Sequence, residues 1–309
     1  MIGLVVVLGA ALSWFSAVHP AAMPAWGPWE FSWVEYLGCV LPAVWYVRGV
    51  RRMAPETRPA LWRQVCYGLG MAAIYAVVQT RLTYLAQHLF VATQVQQFVL
   101  HDIGPFLVAL SWPLAPLREG MPAPVLRALR AAPVQAVLRA VQQPVVAAVL
   151  FVLLLAGQVV PAVVFRMMLD WRVFDAMNIL VAADGVLFWC LVLDPRPRPL
   201  AGISYLTRMV LIFVVMLPVM PVGAYIAFTT RALYGFYDFC GRLDWVSPAS
   251  DQILGGLVLW IPSGLMTAVA ILLPLNAMRL AEEREGAGPG AAFIEVGHRR
   301  IDASAWTGR

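Results

Sequence analysis

The sequence predicts an all-α integral membrane protein, a bundle of seven core transmembrane helices preceded by an N-terminal hydrophobic helix. Hydrophobic residues make up 61% of the 309 residues, charged residues only 13%, and the mean hydropathy is +0.76. Soluble domains carry about 25% charged residues, and disordered chains combine low hydrophobicity with high charge, so both classes are excluded. The apolar runs are continuous rather than alternating, which indicates helices and not the strands of a barrel.

Eight apolar runs follow one another along the chain, separated by charged or Pro-rich stretches. They lie at 2–18, 33–49, 64–80, 88–112, 141–165, 174–193, 205–228 and 252–275. Most reach the roughly 17–25 residues that a helix needs to cross the hydrocarbon of a bilayer. Kinks are expected at the prolines inside or near the ends of these runs, namely Pro161, Pro218, Pro221 and Pro262.

The first run has two interpretations. Residues 2–18 are short for a span, and no basic region precedes them as it would in a signal peptide. Retention gives eight helices with both termini in the cytoplasm, and cleavage gives seven with an external N-terminus; a retained helix is favoured. The chain then divides into an N-terminal hydrophobic helix or uncleaved signal anchor (1–20), a seven-helix membrane domain (21–280) and a cytoplasmic tail (281–309).

The basic residues predict the orientation of the spans. All 22 are arginines, and 17 of them lie in the loops 50–63, 113–140 and 194–204, their flanks, or the C-terminal tail. The other five are Arg81, Arg166, Arg172, Arg231 and Arg242. Because cytoplasmic loops carry the excess of basic residues, the larger set and the C-terminus are predicted to be cytoplasmic.

The stretch 125–141 alternates arginine with apolar residues at helical spacing. It is either an amphipathic helix on the inner leaflet or a solvated loop interrupted by Pro133.

Polar residues are concentrated in the fourth run. Its polar stripe occupies a sector of about 160° at 100° per residue, and the stripe consists of Thr93, Gln94, Gln96, Gln97 and His101. Asp102 and His88 point away from the stripe. In the sixth run Asn178 matches the depth of Thr93 and Gln97, and Asp184 matches that of His101 and Asp102. Since ionisable groups at membrane depth are costly and usually functional, these residues predict an intramembrane polar cluster of Thr93, Gln97, His101, Asp102, Asn178 and Asp184.

Five side chains are candidate ligands for a soft metal such as Cu(I): His88, His101, Met167, Met168 and Met220. Each has a structural alternative. A buried histidine is commonly a hydrogen-bonded packing residue, methionine fills hydrophobic bundles, and intramembrane amides commonly join helices.

Four separated strings resemble one family. They are Tyr46-Val-Arg48-Gly49-Val-Arg51-Arg52; the stretch from Leu82 to His101-Asp102-Ile-Gly104-Pro105; Gly185 to Trp189 with Asp194-Pro195-Arg196-Pro197; and Leu233-Tyr234 and Tyr237 with Asp251-Gln252, Trp260-Ile-Pro262 and Gly264. In their order and spacing they resemble the CtaG (caa3-type) cytochrome c oxidase assembly factors, over about residues 24 to 280. The resemblance implies a seven-span protein of the bacterial inner membrane that helps to mature a haem–copper oxidase, with cytochrome c oxidase subunits as partners and copper delivery as a role.

The chain departs from this family where copper ligands are expected. The resemblance places paired histidines in the fourth and sixth runs, and the four positions here are Thr93, Gln97, Phe174 and Asn178. A neutral amide or hydroxyl is a poor ligand for copper, and phenylalanine cannot ligate at all. No tight copper site is therefore predicted at these positions, and the pocket is expected to persist as a hydrogen-bonded cluster.

Other functions remain as alternatives. The chain could be a structural or accessory subunit of a respiratory membrane complex that has lost metal binding. A haem is not expected, because His88 and His101 share a helix and lie about 20 Å apart along it, although a haem between His19 and His88 stays open. A transporter lacks the expected internal repeats. No nucleophile–base pair, phosphate-binding loop or zinc spacing predicts an enzyme, and no nucleic-acid partner is expected.

Overall fold

The fold is almost entirely helical. The computed structural model describes residues 2–24, 26–196, 202–286, 293–296 and 299–302, with side chains at residues 3–20, 22–24, 26–196 and 202–283. The helices of the first half are α1 (Ile2–Val18), α2 (Trp33–Arg52), α3 (Leu61–Gln79), α4 (Arg81–His88), α5 (Phe90–Phe98), α6 (Gly104–Ser111), α7 (Leu114–Gly120), α8 (Ala123–Arg130) and α9 (Ala132–Val141). Short 3₁₀ turns lie at Pro20–Ala22 and Pro55–Thr57.

The second half continues the bundle and ends in a small hairpin. Its helices are α10 (Pro144–Gly157), α11 (Pro161–Leu169), α12 (Trp171–Val192), α13 (Tyr205–Met216), α14 (Val219–Phe228), α15 (Phe236–Phe239) and α16 (Pro248–Gly286). The strands β1 (Phe293–Val296) and β2 (Arg299–Asp302) pair antiparallel, with Phe293 opposite Asp302.

Four helical segments of the described chain are long and apolar enough to cross a membrane. They are Leu61–Gln79, Trp171–Val192, Tyr205–Phe228 and Pro248–Glu283. Two bent pairs raise the number to six if each pair is one span: Phe90–Ser111 with Leu114–Gly120, bent by 78°, and Ala132–Val141 with Pro144–Gly157, bent by 76°. The chain is therefore a helical protein with four to six candidate spans, and α1 is a shorter apolar helix.

The expected continuous run 141–165 is wrong. The helix α10 begins at Pro144 and ends at Gly157, and α11 begins only at Pro161. Proline lacks a backbone N–H and is suited to the first turn of a helix, while the residue before it is held extended. Val160 is extended accordingly. Pro218 lies at the junction where α13 ends and α14 begins.

The fourth run is likewise not one regular helix. It is broken at Leu89, whose backbone is extended, so that α4 ends at His88 and α5 begins at Phe90. Between α5 and α6 the residues Val99–Ile103 form a π-helical turn. Such turns are rare in proteins, and those that do occur are often found at functional sites.

The stretch 125–141 forms helices and not a loop. Pro133 lies in the first turn of α9, and the preceding Ala131 separates α9 from α8. Neither helix buries a residue against the rest of the described chain. Partly buried residues in these helices are Val125 and Leu126 of α8 and Val134, Leu138 and Val141 of α9, and the other residues are exposed.

The apolar core lies between α5, α10, α12, α13 and the segment before α16. Its largest fully buried aromatic side chains are Phe90, Phe151, Phe188, Trp189 and Tyr237. Phe151 packs against Phe188, with ring centroids 4.3 Å apart. Because α5 packs against this core, its polar stripe is held inside the bundle.

Candidate functional site

The polar stripe of the fourth run is buried inside the protein. Thr93, Gln94, Gln96 and Gln97 are at most 2% exposed, and His101 is fully buried. A polar group that is removed from solvent must find a partner within the protein or carry a free-energy cost. The contacts of each side chain therefore decide what this site can do.

The start of α5 is fixed by a carboxylate from α16. Asp251 accepts hydrogen bonds from the backbone N–H groups of Phe90, at 2.9 Å, and Val91, at 2.8 Å. These amides have no partner within the helix, and a negative charge at a helix N-terminus is favourable. Arg242 forms an ion pair with Asp251, and both side chains are buried. This network explains why a helix begins after the extended Leu89.

The neighbouring Gln252 holds the segment between α14 and α15. Its Oε1 accepts a hydrogen bond from the backbone N–H of Leu233 at 2.8 Å, and its Nε2 donates to the carbonyl of Arg231 at 2.9 Å. Asp251 and Gln252 therefore join the segment 229–247 to α5 and α16.

Thr93 is bound to this segment through a tyrosine. Its hydroxyl donates to the carbonyl of Ala86 at 2.6 Å and lies 2.6 Å from the hydroxyl of Tyr237. Because a threonine hydroxyl has one proton, and Ala86 takes it, Tyr237 is the donor to Thr93. Both side chains are buried, so the hydroxyl of Thr93 is fully used in packing.

The predicted proximity of His101 and Asp184 is confirmed. The His101 Nε2 lies 3.1 Å from Asp184 Oδ2 and donates to it, and the imidazole stacks on Phe151 with ring centroids 3.8 Å apart. The π-helical turn brings the carbonyl of His101 towards α12, where Trp189 Nε1 donates to it at 3.0 Å. Gly185 allows this approach, since a Cβ there would lie 2.6 Å from the same carbonyl oxygen.

Asn178 pairs with a residue that the sequence reasoning missed. Its Nδ2 donates to Glu35 Oε1 at 3.1 Å, and Glu35 is only 4% exposed. Nearby, the hydroxyl of Ser32, the residue that caps α2, donates to Asp175 Oδ2 at 2.7 Å. An acidic residue at the third position of an apolar run was the available signal for Glu35. Asn178 therefore joins α12 to α2, and no hydrogen bond joins it to Thr93 or Gln97 among the described residues.

Several polar atoms of the stripe have no hydrogen-bond partner among the described residues. They include both amide atoms of Gln97, His101 Nδ1, Asp102 Oδ1 and Asn178 Oδ1. Buried polar atoms of this kind mark places that bind water or an ion, or that are needed for function. The atoms of this kind in the stripe lie on Gln97, His101 and Asp102, inside the bundle.

The soft metal candidates come from several elements: His88 from α4, His101 from the π-helical turn, Met167 and Met168 from α11, and Met220 from α14. His88 Nδ1 donates to the carbonyl of Tyr84 at 2.7 Å, and its ring packs on Tyr84. Met167 is buried, Met168 is partly buried beside it on α11, and Met220 is 43% exposed on α14. Among the residues with described side chains, no three histidine, cysteine, aspartate or glutamate residues are grouped as a metal site would require.

The sequence was compared with models of known protein families. A family model described as cytochrome c oxidase caa3 assembly factor matches residues 44–279. The chain belongs to the caa3 cytochrome c oxidase assembly factor family. Neither the curated proteins nor the solved structures that were compared with it gave a match. As a member of this family, the chain is an assembly factor of cytochrome c oxidase, and the resemblance carried by its four sequence strings is confirmed.

The residues of this assembly factor do not fit copper at the four expected positions. Thr93 uses its hydroxyl on Ala86 and Tyr237, and Asn178 uses its amide on Glu35. Phe174 is buried and has no donor atom, and Gln97 offers only a neutral amide. Cu(I) prefers thiolate, thioether and imidazole ligands, so these four side chains offer no suitable donor set for it.

Proposed function

We propose that the chain promotes maturation of a haem–copper cytochrome c oxidase by contacts with oxidase subunits, without catalysing a reaction. One observation supports a role by contact and not by copper delivery. The four positions where copper ligands are expected hold Thr93, Gln97, Phe174 and Asn178, and the side chains of Thr93 and Asn178 are hydrogen-bonded within the protein. Copper delivery from these positions is therefore not part of the proposal.

The segment 229–247 supplies a surface suited to such contacts. Phe239 is 91% exposed and Trp245 is 75% exposed on it, while Tyr237 between them is fully buried. Exposed aromatic side chains on a well-anchored backbone are typical of protein interfaces. The anchoring by Asp251 and Gln252 supports the assignment of this segment as the contact surface.

We further propose seven core spans behind an N-terminal helix, in the bacterial inner membrane, with the C-terminus in the cytoplasm. The seven-helix domain covers 21–280, between the N-terminal helix 1–20 and the tail 281–309. The distribution of 17 of the 22 arginines supports this orientation. It places the segment 229–247 on the outer side of the membrane.

Deletion and complementation test the proposal. Deleting the gene is expected to lower cytochrome c oxidase activity and accumulation of its subunits, and added copper is expected not to restore them. Trp245→Ser with Phe239→Ser should fail to complement, whereas Val137→Ser, at a 62% exposed site on α9, should complement fully. Full rescue by copper alone would overturn the contact-based function. Stoichiometric co-purification with the mature oxidase in mild detergent would instead favour a stable accessory subunit.

A further inference from the structure

A long apolar groove separates α2 from α12 and is floored by α3 and α6. Its volume is about 830 Å³, and it runs along α12 from Asn178 to Leu191. That distance is about 20 Å at 1.5 Å per residue. Ligand sites have volumes of about 300–1,000 Å³, so the groove is large enough to hold a chain-like ligand.

The wall of the groove is apolar over most of its length. On α12 the lining side chains recur at helical spacing, and they include Ala183, Leu187 and Cys190. On α2 the facing wall contains Gly38, where an added Cβ would meet no atom within 4 Å. Small residues on both walls therefore leave room that the protein itself does not fill.

One end of the groove is basic. Arg139 of α9, Gln142 and Arg196 line this end. Arg196 is held by Asp194, at 2.6 Å from Nη2 to Oδ2, and its guanidinium lies over the ring of Trp112. Arg139 is exposed, its Nε donates to the carbonyl of Gln135, and no carboxylate with a described side chain forms an ion pair with it. Asp194 also lines this end and offsets the charge of Arg196, so the unpaired charge at the mouth is the positive charge of Arg139.

We propose that this groove binds one anionic glycerophospholipid, with the phosphate at Arg139 and Arg196 and an acyl chain along Cys190, Leu187 and Ala183. Basic pockets between membrane helices at the cytoplasmic side recognise anionic headgroups, and the proposed orientation puts Arg139 on that side. The acyl chain of one leaflet extends about 15 Å, half of the roughly 30 Å hydrocarbon thickness, which the groove exceeds. This site is independent of the oxidase role.

Lipid titration of the purified full-length chain, followed by native mass spectrometry, tests the site. One adduct of palmitoyl-oleoyl phosphatidylglycerol is expected, with weaker binding of the zwitterionic phosphatidylcholine. Arg139→Gln should weaken phosphatidylglycerol binding about fivefold, whereas Arg127→Gln, at an exposed arginine on α8, should leave it unchanged. If both variants weaken phosphatidylglycerol binding equally, the lipid is attracted by the overall surface charge and not by a site at Arg139, and the proposal is overturned.

A second pair of variants tests the acyl channel. Ala183→Trp should abolish the adduct by filling the groove, and Leu180→Trp, at a 52% exposed position on the same helix outside the groove, should retain it. If Ala183→Trp fails to fold, Gly38→Leu narrows the opposite wall from a position where an added Cβ meets no atom within 4 Å, and it should also weaken binding. If Ala183→Trp, Gly38→Leu and Leu180→Trp all bind phosphatidylglycerol as tightly as the unmodified protein, the proposal is overturned. Binding of palmitate as tight as that of the phospholipid would also overturn it. These measurements need no oxidase, so their failure leaves the assembly role untouched.

Discussion

The carboxylate of Asp251 accepts a hydrogen bond from the backbone N–H of Phe90 across 161 residues of sequence, at 2.9 Å. This contact fixes where α5 begins and therefore the rotation of the polar stripe that follows. The same carboxylate neutralises the buried Arg242. One aspartate thus determines both the geometry of α5 and the placement of the segment 229–247.

Asp251→Ala should destabilise the protein strongly, because it removes the only buried carboxylate that pairs with Arg242 among the described residues, leaves that arginine only the exposed Asp238, and removes the acceptor of two helix amides. Breaking a buried ion pair from one side costs about 3–5 kcal/mol. Asp238 offers the matched control, since it pairs with the same Arg242 at 2.7 Å but its side chain is 54% exposed. Asp238→Ala should cost no more than about 1 kcal/mol. Thermal unfolding of the purified variants measures both, and equal losses would contradict this account.

His101 and Asp184 should behave as a coupled pair. Asp184→Leu leaves the buried Nε2–H of His101 without an acceptor, which costs about 1–3 kcal/mol, and His101→Leu leaves a carboxylate unpaired. The double variant removes both polar groups, so its loss should be smaller than the sum of the single losses by about 0.5–3 kcal/mol. Adding Ser250→Ala, at an exposed site, to His101→Leu should give additive losses. Additivity for the His101–Asp184 pair as well would show that the contact carries no coupling.

The hydrogen bond between Tyr237 and Thr93 predicts an asymmetry between its two partners. Tyr237→Phe removes a donor to Thr93, whose own proton still reaches Ala86, and should cost about 1 kcal/mol. Thr93→Val costs more, because the fully buried hydroxyl of Tyr237 loses its acceptor. Thr93→Ser keeps the hydroxyl and serves as the control with the smallest loss. The fall in unfolding temperature should be smallest for Thr93→Ser, larger for Tyr237→Phe and largest for Thr93→Val. A larger fall for Tyr237→Phe than for Thr93→Val would mean that Thr93 is the donor.

The sequence predicted those features that follow from periodicity and from the cost of burial. The stripe from Thr93 to His101 had to face protein because lipid offers no hydrogen bonds. The equal depth of His101 and Asp184 in their two spans predicted that these side chains lie close together. The partner of Asn178 could not be predicted in the same way. Glu35 meets it only because α2 packs against α12, which no local pattern specifies. The break at Leu89 depends on the distant Asp251, so the fourth run looked continuous.

The proposed orientation predicts which introduced thiols are accessible from outside. In a Cys240→Ser background, Arg231→Cys should react with a membrane-impermeant maleimide on intact cells, and Arg130→Cys should react only after permeabilisation. The background change is needed because Cys240 lies on the same side as Arg231, although burial raises the pKa of its thiol and slows its reaction. Both arginines are exposed, so accessibility reports sidedness and not packing. Labelling of Arg130→Cys in intact cells would invert the topology.

Copper content provides the last prediction. The purified chain, loaded with Cu(I) and then passed over a competing chelator, should retain no stoichiometric copper at Thr93, Gln97, Phe174 or Asn178, because hydroxyl, amide and phenyl groups are poor ligands for a soft cation. Thr93→Ala and Asn178→Ala should therefore leave the metal content equal to that of the unmodified protein, measured by elemental analysis. If copper is retained, His88→Gln, Met167→Leu, Met168→Leu or Met220→Leu should lower it, since imidazole and thioether groups are the remaining candidates. Bound copper that is lost in Thr93→Ala or Asn178→Ala, while the four other variants keep it, would show that the substituted positions form a metal site after all.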